Sequence, residues 1–234
     1  MDAAKTRSNA EVEVCRQLLD SGLTALNLHL TEYQISQLID FIRLMDKWNK
    51  AYNLTAIRNP EDMIYLHLLD SLAIVPFIAG QRVIDIGTGA GLPGIPLAVC
   101  LPDTAFTLLD SNAKKTRFVQ QAVLELKLNN VTVCHHRVEN YHPESPFNTV
   151  ITRAFASLSE IVRLTAHLLA PDGVLLAMKG QHLEAELAQL SEQLSTQALA
   201  KKSVISVSVP GIAAERCLVR IASLTPTEVM SWEK

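Results

Sequence analysis

The sequence predicts an α/β fold: a mostly parallel seven-stranded sheet with an antiparallel last strand, preceded by an N-terminal helical extension. Three observations predict it. From Gln81 onward, short apolar runs alternate with stretches of helical spacing, the pattern of βαβ units. The first such run, Arg82–Ile86, leads directly into a glycine-rich turn and a helix start. Ahead of Gln81 the spacing is helical.

Within residues 1–80, Thr31-Glu32-Tyr33-Gln34 has capping-box form. Ile35, Leu38, Ile39, Ile42 and Met45 then make one apolar stripe down to about Trp48. Asn59-Pro60-Glu61-Asp62 opens a second helix: a capping residue, proline in the first turn, then acids at the positive end of the dipole. Met63, Leu66, Ile74 and Val75 carry it to Pro76. His67 and Asp70, three apart, read as a polar pair facing the sheet, and Trp48 and Tyr52 as core more than as RNA-stacking rings.

The strands expected next are Arg82–Ile86, Ala105–Leu109, Val131–His135, Asn148–Thr152 and Gly173–Met178. Helices are expected near Pro93 and over Ala113–Leu128, Leu158–Leu169 and His182–Leu194. Ser203–Val209 and Cys217–Ile221, with no helix between them, predict an antiparallel ending. The expected division is a helical region over 1–80, a sheet domain over 81–223 and a loosely held tail over 224–234.

At 234 residues and 48% hydrophobic, the chain can bury a substantial core. The net charge of −3 argues against a protein that coats nucleic acid, although a local basic face would suffice for an RNA substrate. Residues 1–80 hold 7 Lys/Arg against 10 Asp/Glu, and the remainder 14 against 14, so neither part is a basic arm. The start has no apolar run of signal-peptide type, and no apolar stretch is long enough for a bilayer, so a cytoplasmic protein without membrane attachment is expected. Cys15, Cys100, Cys134 and Cys217 lie far apart without zinc spacing, and His135-His136 point to opposite faces of a strand end. No metal is expected.

The most informative segment is Val83-Ile84-Asp85-Ile86-Gly87-Thr88-Gly89-Ala90-Gly91-Leu92-Pro93-Gly94. Glycines at the end of a first strand let the backbone turn at positive φ and approach a nucleotide closely. The segment from Gly89 to Gly94 formally fits a dinucleotide fingerprint, but two details oppose that reading. The glycines begin at Gly87, directly after the strand. Asp85 would repel a pyrophosphate, yet can help hold the ammonium of S-adenosylmethionine directly or through water. Gly87, Gly89 and Gly91 would then line the donor. About twenty residues on, Asp110 ends the second strand and can accept from both ribose hydroxyls; its other reading is a cap on the helix from Ala113. Val138 suits apolar contact with adenine and Glu139 polar recognition, unless Glu139 is an ordinary solvated acid.

Taken together, these segments resemble the RsmG (GidB) family of small-subunit (16S) rRNA guanine-N7 methyltransferases over about residues 22 to 222. The matching pieces are Trp48-Asn49-Lys50-Ala51-Tyr52-Asn53-Leu54-Thr55, His67-Leu68-Leu69-Asp70-Ser71-Leu72, the glycine loop, Leu109-Asp110-Ser111, Arg137-Val138-Glu139, Arg153-Ala154-Phe155-Ala156 and Lys179-Gly180. The resemblance implies a Rossmann-like methyltransferase fold, S-adenosylmethionine as donor, and donor contacts from Gly87, Leu92, Val138, Glu139 and Arg153. It implies ribosomal RNA or the small subunit, assembling or mature, as partner. The chain departs from the family at Glu215-Arg216-Cys217, where the family usually reads Glu-Arg-His.

Guanine N7 has a free lone pair, so its methylation needs alignment and no general base. An Asn/Asp-Pro-Pro-Tyr motif for amine methylation is missing, Thr152-Arg153-Ala154-Phe155 standing there instead, and no cysteine follows a proline as C5 chemistry would favour. Arg153 is the catalytic candidate: its planar fork can hold the methionine carboxylate or reach guanine O6. Candidates for RNA or base contact are Lys114, Lys115 and Arg117 at a helix start, Phe155 by stacking, Lys179 and Arg216. Phe155 reads equally as core, and Lys179 as a solvated lysine. A monomer is expected. The other classes left open are a methyltransferase of another RNA or a small molecule, an NAD-dependent dehydrogenase, and a non-catalytic RNA-binding module with a vestigial donor pocket.

Overall fold

The computed structural model describes residues 2–180, 183–194 and 199–223. His182, the expected start of the last helix, and the tail after 223 lie outside the described residues.

Two long helices come first, α1 (Asp2–Ala25) and α2 (Glu32–Tyr52). The box at Thr31 forms as expected: its hydroxyl accepts from the Gln34 amide, and the Gln34 side chain accepts from the Thr31 amide. Asn59 caps α3 (Pro60–Met63), its carboxamide accepting from the Glu61 amide. The helix to Pro76 is not uniform, however. It widens into a π segment (Ile64–Leu69), returns as α4 (Asp70–Leu72) and ends in a 3-10 turn (Val75–Phe77). π segments concentrate at functional sites, and this one carries His67.

The sheet follows: β1 (Arg82–Ile86), α5 (Gly94–Cys100), β2 (Ala105–Asp110), α6 (Ala113–Glu125), β3 (Val131–His135), β4 (Phe147–Arg153), α7 (Leu158–Thr165), β5 (Leu169–Lys179), α8 (Glu184–Leu194), β6 (Leu199–Val207) and β7 (Arg216–Ser223). The strand order is β3-β2-β1-β4-β5-β7-β6. The pairs among β1 to β5 are parallel, while β7 runs antiparallel to both β5 and β6. Order reverses between β1 and β4, so the loops leaving their carboxyl ends diverge and leave a crevice.

Alternation along each strand divides the core in two. Val83, Phe106, Leu108, Ile151 and Leu176 join α2, α5, α6 and the π segment on one face. Ile84, Ile86, Val150, Leu175 and Val219 join α7 and α8 on the other. Trp48 packs at 4.9 Å from Tyr52 and 5.7 Å from Phe118 (ring centroids), against the first core. Among the described residues no helix is long and apolar enough to cross a membrane.

Candidate active site at the ends of the parallel strands

The turn after β1 is fastened to the end of β2. The amides of Gly87 and Thr88 both donate to the Leu109 carbonyl, at 2.8 and 3.1 Å. The Gly89 amide donates to Asp110 Oδ2 at 2.8 Å, while Oδ1 accepts from the Asn112 amide at 2.8 Å. Gly87, Gly89 and Gly91 all have positive φ, between 60° and 81°. Asp110 does not cap α6; Asn112 does, its side chain accepting from the amides of Lys114 and Lys115. An asparagine just before a helical run was a readable capping signal that the sequence reading passed over.

Asp85 sits beneath the turn rather than at its surface. It is fully buried, and its Oδ2 accepts from the Thr88 hydroxyl at 2.7 Å and the Gly94 amide at 3.0 Å. Burial pushes its pKa up to about 6 against the pull of those two donors. Its Oδ1 is buried without a protein partner. No part of the Asp85 side chain reaches the surface, so the acid acts from beneath the turn, tying its start to the start of α5.

Beside the turn lies a cavity of about 380 Å³, in the range of small-molecule sites. It gathers Gly87, Asp110, Lys115, Val138, Glu139 and Phe155 from five separate segments. Val138 is buried and Glu139 exposed, on the 3-10 turn 138–140. Phe155 lies over Gly87 so closely that a Cβ on that glycine would fall 2.5 Å from its ring. Phe155 packs on the second core and also lines the cavity. Gly91 and Leu92 are buried, Leu92 in the first core, and they shape the turn from behind. Lys114 and Arg117 are exposed on α6, and neither has an ion pair among the described residues.

A second cavity of about 480 Å³ opens at the ends of β4 and β5, and Ala154 lines both. Ala154 has φ +50°, a conformation that costs a non-glycine residue of order 1–3 kcal/mol. Arg153 faces this second cavity. Its Nη1 donates to Asp70 Oδ2 at 3.1 Å and to the Leu66 carbonyl at 3.3 Å, so the fork is turned to Asp70. Arg216 donates from Nε to Asp70 Oδ1 at 2.8 Å. His67 and Asp70 are not bonded to each other: His67 Nε2 lies 2.9 Å from the Thr55 hydroxyl, and Nδ1 lies 3.1 Å from the Leu66 carbonyl. Burial and the nearby Arg153 charge lower the His67 pKa to about 4.

Lys179 is largely buried and bonded rather than solvated, although it still lines the second cavity. Its ammonium donates to the Ala156 carbonyl at 2.7 Å and to Glu186 Oε2 at 2.9 Å, and the same Glu186 oxygen accepts from the Leu158 amide at 2.8 Å. The strained turn 154–157 is thus clamped to α8. Sequence spacing carries no signal for this contact or for the Asp70 node, because the partners are far apart along the chain.

The fold recurs in solved S-adenosylmethionine enzymes. The O-methyltransferase TomG from Streptomyces achromogenes, solved with its donor, superposes with a TM-score of 0.55 over 86% of this chain and 94% of its own, at 15% identity. A SAM dependent methyltransferase from Aquifex aeolicus gives 0.53 over 70% and 93%, at 18% identity. Those likenesses establish the fold. The family is decided by sequence: the GidB model, described as rRNA small subunit methyltransferase G, matches residues 34–216. This chain belongs to the GidB family.

Relatives named ribosomal RNA small subunit methyltransferase G bear this out across nearly full length. The protein from Hydrogenovibrio crunogenus is 48% identical over 89% of this chain and 94% of its own. That from Chromobacterium violaceum is 51% identical over 87% and 95%. The GidB turn also fits S-adenosylmethionine by its own chemistry. Asp110 keeps lone pairs for ribose hydroxyls, Val138 offers an apolar contact, Glu139 can accept from an adenine amine, and Gly87 leaves no Cβ in the way. The unpaired Asp85 Oδ1 adds negative charge under the turn, which suits a cationic donor and opposes a pyrophosphate.

Proposed function

We infer that this chain transfers the methyl group of S-adenosylmethionine to N7 of a specific guanine in small-subunit (16S) ribosomal RNA. It acts as a monomer in the cytoplasm, on RNA that is free or already in a subunit. Bound in the first cavity, the donor supplies an electrophilic methyl group on a sulfonium. The protein supplies position: Asp110, Val138 and Glu139 hold the nucleoside end, and the turn 87–91 sets its depth.

The observation that carries the N7 reading is that, among the described residues, none where the two cavities meet is a competent base. Asp70 is held by two guanidinium groups, which keep its carboxylate occupied. His67, with a pKa near 4, is a weak acceptor of protons at neutral pH. Arg153 and Arg216 carry guanidinium groups, which donate and offer no lone pair. An aromatic nitrogen with its lone pair already free is the nucleophile such a site can serve, and alignment alone can contribute on the order of 7–11 kcal/mol.

The test uses labelled donor with small-subunit rRNA and with small subunits. N7-methylguanosine carries a fixed positive charge, so borohydride followed by aniline should cut the treated rRNA at one site. Label incorporated into RNA that resists cleavage would remove the N7 assignment and leave the methyltransferase.

A further inference from the structure

The node around Asp70 does more than close the fold. Arg153 arrives from the end of β4, Arg216 from the start of β7, and Asp70 from the helical region, so one carboxylate orients two guanidinium planes. The Asp70 side chain is 7% exposed, against 21% for Arg153 and 28% for Arg216. Both arginines line the second cavity, and Nη2 of each has no hydrogen-bond partner among the described residues. Partly buried donors of this kind want an acceptor.

We propose that the second cavity receives the acceptor base and that Arg153 and Arg216, held by Asp70, select a purine with an oxygen at C6. The proposal rests on the function inferred above and deepens it. The apolar wall of Ile57, Leu66, Ile74, Met178, Val207 and Leu218 suits the faces of an unstacked base. The cavity meets the donor cavity at Ala154, so the reacting nitrogen faces that junction. N7 must keep its lone pair for the methyl group, which moves recognition to the neighbouring C6 substituent. Guanidinium groups only donate. They meet the oxygen of guanine favourably, whereas the amine of adenine would set donor against donor. The Lys179 charge is paired with Glu186 and His67 is uncharged near neutral pH, so at the node two cations face one anion.

The test starts from the nucleotide located by borohydride–aniline cleavage, replaced one analogue at a time in the rRNA. Inosine keeps O6 and N7 and should accept methyl within about threefold of guanosine, whereas 2-aminopurine keeps N7 without O6 and should lose on the order of 100-fold or more. Arg216→Gln, able to accept as well as donate, should narrow that ratio by about tenfold, with Arg216→Lys between it and the parent. Donor Kd by calorimetry should stay within about threefold in both variants, since neither touches the first cavity. As a readout independent of turnover, 6-thioguanosine at the target should photocrosslink to Met178, Arg216 or Cys217. A wild-type enzyme that treats 2-aminopurine like guanosine overturns the proposal. So does a ratio unchanged in both Arg216 variants, or a crosslink confined to the helix 113–125. Failure of the wild type to methylate any rRNA would instead overturn the inferred function.

Discussion

The carboxylate of Asp110 holds the amide of Gly89 at 2.8 Å, which makes the acid ending β2 and the turn ending β1 a single device. Its other oxygen fixes the Asn112 amide just before α6. A ligand that binds between turn and acid thus meets groups already set against each other. Preorganisation of this kind lowers the ordering cost of binding.

Asp110→Ala should therefore weaken donor binding by about 1–3 kcal/mol, the usual cost of removing a charged hydrogen-bond partner. It should also lower thermal stability, because two backbone donors lose their acceptor. Calorimetry with the donor and with an analogue lacking ribose hydroxyls separates the roles. The loss should be clearly smaller for the analogue; equal losses would leave Asp110 a purely structural acid.

Gly87 and Gly89 should respond differently to the same substitution. Each has positive φ, so alanine costs roughly 1–2 kcal/mol in backbone strain at either position. At Gly89 the new methyl would meet nothing closer than 3.8 Å, whereas at Gly87 it would press on the Phe155 ring at 2.5 Å. Gly87→Ala should be the less stable variant by thermal unfolding, and Phe155→Leu should relieve part of its deficit. For Gly89→Val the protein has room, so calorimetry should show lost donor affinity out of proportion to lost stability.

These contrasts mark what could be read from sequence. The parallel sheet was legible because strand alternation, glycine turns and helical spacing are local signals. That Val138 and Asp110 lie together at one cavity follows from the fold, which places strand ends side by side. The direction of Arg153 had no local signal, since it depends on Asp70, 83 residues earlier in the chain. The bonds of Lys179 had no local signal for the same reason, its partners Ala156 and Glu186 belonging to other segments. The π segment had no signal either, because Ile64–Leu69 holds neither glycine nor proline to mark a break in the helix. Long-range pairing of charges decides where long side chains point, and periodicity does not record it.

The clamp from Lys179 predicts coupling between α8 and donor affinity. Glu186 is pushed up by burial, but the Lys179 ammonium and the Leu158 amide outweigh this and hold its pKa below the usual value. Lys179→Met and Glu186→Gln should each weaken donor binding several-fold by loosening the turn that carries Phe155. Because the two act through one contact, the double variant should lose about as much as either single one. Additive losses by calorimetry would show that the turn is held elsewhere.

Asp85 and His67 give opposite pH dependences that partly hide each other. The Asp85 pKa rises from 3.8 to about 6 on folding, so between those values the folded state binds more protons than the unfolded chain. Stability from this group is present at low pH and is lost as pH rises towards 6, at a total cost of roughly 3 kcal/mol. For His67 the pKa falls from 6.5 to about 4, so the unfolded chain holds the extra proton in nearly the same window. Stability from His67 is present above 6.5 and is lost as pH falls through 4. In the parent the two slopes largely cancel. Asp85→Asn should remove one of them and make urea midpoints fall more steeply on acidification from pH 6.5 to 4. His67→Gln should do the reverse, leaving a protein that gains relative stability as the pH drops towards 4. If both variants track the parent at a constant offset across this range, neither group titrates as its burial requires.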